Sequence, residues 1–167
     1  MAGAKKADRY IGQVYQALMA HPEWFSQRPV VLAGDFHSNK IRDTHRLVGN
    51  HSNMVKVLEK HGLVSASHKH FSEPQGMESR PTMYFYRRAQ RTFHLDYFFT
   101  PREWALRLKT VEVGAFESWS KLSAHCPVVV DVPSCRTIDV SWMARCSEAG
   151  CGLGRSGNVE NQPLGIP

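Results

Sequence analysis

The run Pro29-Val30-Val31-Leu32-Ala33-Gly34-Asp35-Phe36-His37-Ser38-Asn39 constrains this chain more than any other stretch. Its apolar and small residues, with two adjacent valines, predict a strand buried on both faces, because a half-exposed strand alternates instead. Gly34 interrupts the run, and Asp35 arrives where the strand ends. A carboxylate there is costly unless it is paired, hydrogen-bonded or holding a cation. Polar strand ends are also where layered α/β proteins place their chemistry. Asp35 equally suits an Asx turn or a helix cap at a strand exit. On the local sequence alone both readings stand.

A chain of 167 residues with 42% hydrophobic content suits one domain with a real core. No stretch approaches the roughly 20 apolar residues that span a bilayer, and residues 1–8 lack the apolar centre of a signal peptide. The expectation is a cytoplasmic protein with no membrane association. Cys126, Cys135, Cys146 and Cys151 match no paired Cys-x-x-Cys zinc pattern and read as ordinary thiols. The net charge of +6 suits a phosphate-rich partner, though a basic balance alone is weakly specific.

In chain order, residues 9–20 predict an amphipathic helix with Tyr10, Ile11, Val14, Tyr15, Leu18 and Met19 on one face. His21-Pro22 ends it, and Trp24 and Phe25 cover the core edge. Residues 38–52 read as a polar loop at the strand's carboxyl end, with His45 and His51 in water. A second helix is expected over 53–61, capped by Ser52 or Asn53 and closed by Gly62. Residues 63–66 suit a short strand and 67–80 a polar loop. A hairpin follows, 82–86 against 92–99, whose turn carries Arg87, Arg88 and Arg91. Thr100-Pro101-Arg102-Glu103 reads as a helix start with a Thr cap. Strands are expected at 111–116 and 126–132. Residues 147–167 are rich in Gly, Ser, Asn and Pro, and the segment 134–167 reads as a poorly ordered tail after a domain ending at 133. The order predicts an α/β (α+β) fold, with helices on one face of a mixed, mainly antiparallel sheet.

Besides the Asp35 segment, two further polar sites sit on strong strands. In Phe93-His94-Leu95-Asp96-Tyr97-Phe98-Phe99, alternation puts His94, Asp96 and Phe98 on one face and Leu95, Tyr97 and Phe99 on the other. In Leu122-Ser123-Ala124-His125-Cys126-Pro127-Val128, a histidine directly precedes an apolar strand. Asp96 is placed to orient the His125 imidazole across neighbouring strands.

These three segments resemble, in order and spacing, the carboxy-terminal part of the endonuclease/exonuclease/phosphatase superfamily, which includes DNase I-like and exonuclease III-like enzymes. Gly34-Asp35-Phe36-His37 stands for the family's Gly-Asp-Phe-Asn, Leu95-Asp96-Tyr97 for Ile-Asp-Tyr, and Ser123-Ala124-His125 for Ser-Asp-His, with Thr82 ahead of the second motif. The resemblance covers roughly residues 9–133. It implies half of a DNase I-like four-layer sandwich and a metal-dependent phosphoester hydrolase, nuclease- or phosphodiesterase-like. By the same resemblance Asp35 positions or deprotonates the attacking water, and His37 replaces a group that contacts the phosphate or a metal. Asp96 orients His125, and His125 stabilises charge on the phosphoryl group. The family's early asparagine and metal-binding glutamate have no counterpart before Tyr10, and Ala124 stands where the family has a carboxylate. The implied Mg²⁺ or Mn²⁺ is therefore expected to be weakly held, with Asp35 and His37 as its ligands. The expected partners are nucleic acid or another phosphorylated substrate, and a second copy covering the free sheet face. The other reading is a catalytically dead half-domain that binds nucleic acid or a protein partner.

Overall fold

Among the described residues seven strands and five α-helices follow one another: α1 (Ile11–Ala20), β1 (Leu32–Asp35), α2 (His51–Lys60), β2 (Leu63–Ser65), α3 (Ala66–Phe71), β3 (Met83–Tyr84), β4 (Thr92–Phe93), β5 (Asp96–Pro101), α4 (Arg102–Ala105), β6 (Thr110–Val113), α5 (Phe116–Trp119) and β7 (Val128–Asp131). This is a computed structural model, and it describes residues 10–26, 29–44 and 48–133. The expected tail at 134–167 and His45 lie outside the described residues. The class is mixed α/β, as the sequence predicts. Instead of one mixed sheet there are three ladders, β1-β5-β2, β3-β4 and β6-β7, and all their pairings are antiparallel. No helix among the described residues is long and apolar enough to cross a membrane.

The core forms where α1 and α2 lie on one face of β1-β5-β2. Ile11 and Leu18 from α1, and Met54, Val55 and Leu58 from α2, pack with Phe36, Leu63, Tyr97 and Phe99. The spacing of those helix residues puts them on single stripes, so burying them is the main force that sets both helices on the sheet. Tyr10 and Met19 fall outside the stripe and stay exposed, as does Trp24, while Phe25 packs against the core. Asn50 caps α2 by accepting from the Asn53 amide, one turn earlier than the expected cap. Ser52 is instead held by Asp43, which accepts from the Ser52 amide and hydroxyl and from the His51 amide. Gly62 follows the helix at φ +79, which its lack of a Cβ permits.

Several expectations fail for identifiable reasons. β1 is not buried on both faces: Leu32 is half-buried, while Val31, Ala33, Gly34 and Asp35 are exposed. The helices cover one face only, and β5 is its sole strand partner among the described residues. Thr100 does not cap α4, because β2–β5 pairing holds it opposite Val64 and fully buries it. Residues 66–71 form α3, where strand was expected at 66 and loop from 67; β6 begins one residue earlier and ends three sooner than expected, and β7 is shorter at both ends. His51 is fully buried rather than solvated. His94 lies with Tyr97 (centroids 4.9 Å apart) instead of sharing the Asp96 face. The strand breaks between Phe93 and Asp96, so strict alternation does not cross that point.

A buried polar network accounts for these histidines. His51 pairs with the Ser38 hydroxyl through Nδ1 (2.9 Å) and with Gln75 Oε1 through Nε2 (2.9 Å). His68 joins Ser65 Oγ (2.7 Å) to Glu78 Oε1 (2.9 Å). The Asn39 amide donates to Glu78, to the His94 carbonyl and to the Tyr97 hydroxyl, each at 3.1 Å. His94 Nδ1 donates to the Arg80 carbonyl at 2.9 Å. This network ties the segment after β1 and the segment after α3 to β5, so both become fixed structure.

Its charges make stability depend on pH. Burial lowers His51 and His94 below their ordinary 6.5, against the Gln75 and Arg80 bonds. Both therefore stay neutral when folded but take up protons when unfolded, so stability is lost as pH falls below about 6.5. Burial pushes the Glu78 carboxyl up, but bonds from His68, the Gly76 amide and Asn39 outweigh it and bring it to about 2. The stability held by Glu78, on the order of 3 kcal/mol, is present above its unfolded value of 4.5 and lost as pH falls toward 2. Urea midpoints measured from about pH 7.5 to about pH 3 should fall in two stages. In Glu78→Gln the lower stage should flatten, and the protein should be less stable at neutral pH.

Candidate functional site

Antiparallel pairing of β1 with β5 sets Asp35 directly opposite Asp96. Two carboxylates facing across a strand pair repel one another. His125 enters from the segment before β7 and meets both. Its Nδ1 lies 2.9 Å from Asp96 Oδ2 and 3.2 Å from Oδ1, and its Nε2 lies 4.0 Å from Asp35 Oδ2. The first contact is a charge-assisted hydrogen bond that fixes the ring plane and leaves Nε2 facing Asp35. The second distance is too long for a hydrogen bond, and an oxygen atom lying between the two groups would reach both. The side chains of Asp35 and His125 are 41% and 35% exposed, and Asp96 is 19% exposed. Reagents can therefore reach the first two, while Asp96 sits behind. Beside them Asp96, His125, Gly34, Phe98 and Trp119 line a cleft of about 380 Å³.

Asp35 makes the Asx turn that its sequence context allows. Its Oδ1 accepts from the His37 amide at 2.7 Å, which is the Asx turn, while Oδ2 remains toward His125. Gly34 reaches φ +145, a region that residues with a Cβ rarely enter, and so allows the strand to turn out at this point. His37 follows at φ +47. Its ring packs on Tyr10, with centroids 4.6 Å apart, and lines another cleft, of about 230 Å³, with Arg42 and Asn50. Asp35, Asp96 and His125 thus come together as expected, whereas His37 faces a different surface.

Thr82 is the positioning residue that the motifs alone do not reveal. It is fully buried, and its hydroxyl oxygen accepts from the Leu95 and Asp96 amides (2.9 and 3.0 Å). Its own amide donates to the Phe93 carbonyl (3.0 Å), and its carbonyl accepts from the Cys126 amide (2.7 Å). One residue thereby replaces the ladder bonds lost at the strand break and joins the backbone of Asp96 to that of Cys126, next to His125. The Ser123 hydroxyl completes the support by accepting the His125 amide at 3.0 Å. Burial raises the neighbouring Cys126 thiol above its ordinary value, which marks it as packing rather than a nucleophile.

The expected divalent ion finds few free oxygen donors at this site. Asp35 Oδ1 is engaged by the His37 amide, and Asp96 turns both oxygens to His125, which leaves Asp35 Oδ2 as the hard donor. A hard cation takes six or more oxygen ligands. Among the described residues no group of three or more His, Cys, Asp or Glu side chains converges to hold a metal ion. These residues do not by themselves fit a dedicated ion site. Compared with protein-family models and with curated protein sequences, the chain matches none.

Thr82→Val should destabilise the fold by about 2 kcal/mol, since it strands two buried amides without an acceptor. Thr82→Ser keeps the oxygen and should lose under about 1 kcal/mol. Urea denaturation checks both. Hydrogen exchange at the Leu95 and Asp96 amides should accelerate in Thr82→Val and not in Thr82→Ser.

Proposed function

We propose that this chain carries the catalytic segments of a phosphoester hydrolase of the endonuclease/exonuclease/phosphatase kind, acting on nucleic acid. The observation that supports this reading is the His125 ring, which is held by Asp96 through Nδ1 and directs Nε2 toward Asp35. In this reading Asp35 Oδ2 accepts a proton from the attacking water as its oxygen adds to phosphorus, and the ester P–O bond opposite breaks, with the leaving oxygen taking its proton from solvent. The imidazolium form of His125, with its Nδ1–H on Asp96, donates its Nε2–H to the phosphoryl oxygen on which charge grows. Asp96 touches no reactant and acts by fixing the orientation of that imidazolium and balancing its charge. The DNase I-like sandwich is the architecture that goes with this proposal.

The alternative, a catalytically inert binder, draws on one specific observation. Ala124 supplies no carboxylate beside His125, and its backbone carbonyl accepts the Tyr84 amide (2.8 Å). Ala124→Asp separates the two readings. Nicking of supercoiled DNA with Mn²⁺ should rise above the unmodified protein in Ala124→Asp. Adding Asp35→Ala or His125→Ala should remove that gain by about a hundredfold or more. If Ala124→Asp changes nothing and the unmodified protein does not nick, the inert-binder reading takes over.

The proposed assembly is a homodimer across the exposed apolar residues beside the site. Val31 is 40% and Val129 55% exposed, more than single buried strands of this composition would leave. Light scattering at micromolar concentration should give twice the monomer mass, and a monomeric value ends this part of the proposal.

A further inference from the structure

The tip of the β3–β4 hairpin combines three features that the hydrolytic centre does not use. Arg87, Arg88 and Arg91 are all exposed there, with no acidic residue between Tyr84 and Thr92. Phe85 and Tyr86 are 40% and 71% exposed, with ring centroids 4.2 Å apart. Burial is therefore not what holds these two aromatics in place. Tyr86 and Arg87 also adopt φ values of +54 and +56, consecutive left-handed positions without glycine. Such backbone is costly for ordinary residues and gathers at functional surfaces.

The tip has a fixed place relative to His125. The Phe85 amide donates to the Arg91 carbonyl (2.8 Å) and closes the turn. Below it, Met83 bridges His125, and the Tyr84 amide donates to the Ala124 carbonyl (2.8 Å). Arg87 Nη1 donates to the Lys121 carbonyl at 3.3 Å, which brings exposed Lys121 into the same basic surface. The strand segment that carries His125 therefore carries the tip with it.

We propose that this tip is a platform for single-stranded nucleic acid. Tyr86, backed by Phe85, stacks a base, and Arg87, Arg88, Arg91 and Lys121 neutralise the phosphates beside the one presented to His125. Aromatic faces offered to solvent take up bases that are already unstacked, which a duplex does not supply. Clustered guanidinium groups with no carboxylate among them match a phosphodiester backbone. The proposal rests on the phosphoester-hydrolase reading and names the substrate class of that centre.

Binding of fluorescein-labelled dT20 to the full chain, followed by anisotropy in EDTA across a salt series, tests this without turnover. Removing two phosphate contacts in Arg88→Ala/Arg91→Ala should shallow the slope of log K against log salt by about 1.4. Tyr86→Leu should weaken dT20 binding by about five- to a hundredfold. It should leave the slope unchanged, and also the affinity for inorganic polyphosphate, which has charge but no bases. Tyr86→Phe should retain binding. All three positions are exposed, and circular dichroism should confirm unchanged folding. An unchanged slope in the double arginine variant overturns the proposal. So does an equal loss on polyphosphate in Tyr86→Leu, or tighter binding to duplex than to dT20. If these binding results hold while Ala124→Asp never nicks DNA, the platform stands and the hydrolase reading falls. If nicking is found but the tip variants bind dT20 normally, only the platform falls.

Discussion

Everything at the candidate site depends on one register: Asp35 paired against Asp96 in the β1–β5 ladder. A shift of one residue would turn Asp96 into the aromatic core and Tyr97 out toward the cleft. The helices prevent that slip, because Tyr97 and Phe99 are already committed to packing against α1 and α2. The chemistry on one face of β5 is thus held in place by hydrophobic burial on the other. The repulsion built into that register is relieved by His125, whose two ring nitrogens face the two carboxylates. A polar trio with only partial burial can tolerate such an arrangement, where a fully buried one would demand complete pairing.

Holding His125 there takes more than a strand. The hairpin, β5 and the segment before β7 share no continuous ladder, and Thr82 joins them by using its amide, carbonyl and hydroxyl together. A valine has nearly the same shape and β preference but leaves two amides without an acceptor, so threonine here is chosen by hydrogen bonding rather than by packing. On the far face, Asn39, Glu78, His68 and His51 play the same part for the loops. They turn long polar stretches into ordered structure by satisfying one another away from water.

The three polar segments of the candidate site were legible in the sequence because each combines a strong apolar run with an out-of-place polar residue, and that conflict is local. The Asp96–His125 contact was legible for the same reason: a carboxylate among aromatics must find a partner. The buried histidines were not. His51 sits in a stretch without hydrophobic periodicity and His94 at a strand break that alternation does not cross, and their buried partners, Gln75 and Arg80, lie 24 and 14 residues away. The exposure of β1 was equally hidden, since an apolar run reports that burial is favourable and not that a covering layer exists. Thr100 shows the converse case. Its local cap pattern is good, but pairing with Val64 takes precedence because a strand bond and full burial outweigh a cap at a four-residue helix.

The sequence by itself determined which residues have to resolve a polar conflict and roughly where the helices and strands run, because periodicity, turn chemistry and the cost of buried charge are properties of short segments. Only the tertiary structure decided which of those residues meet. Asp35, Asp96 and His125 are brought together by strand register and by Thr82, and His37 is turned away toward Tyr10 by a left-handed backbone beside the same aspartate. Register and backbone sign are set by packing on the opposite face of the sheet, and no motif two or three residues long carries that information.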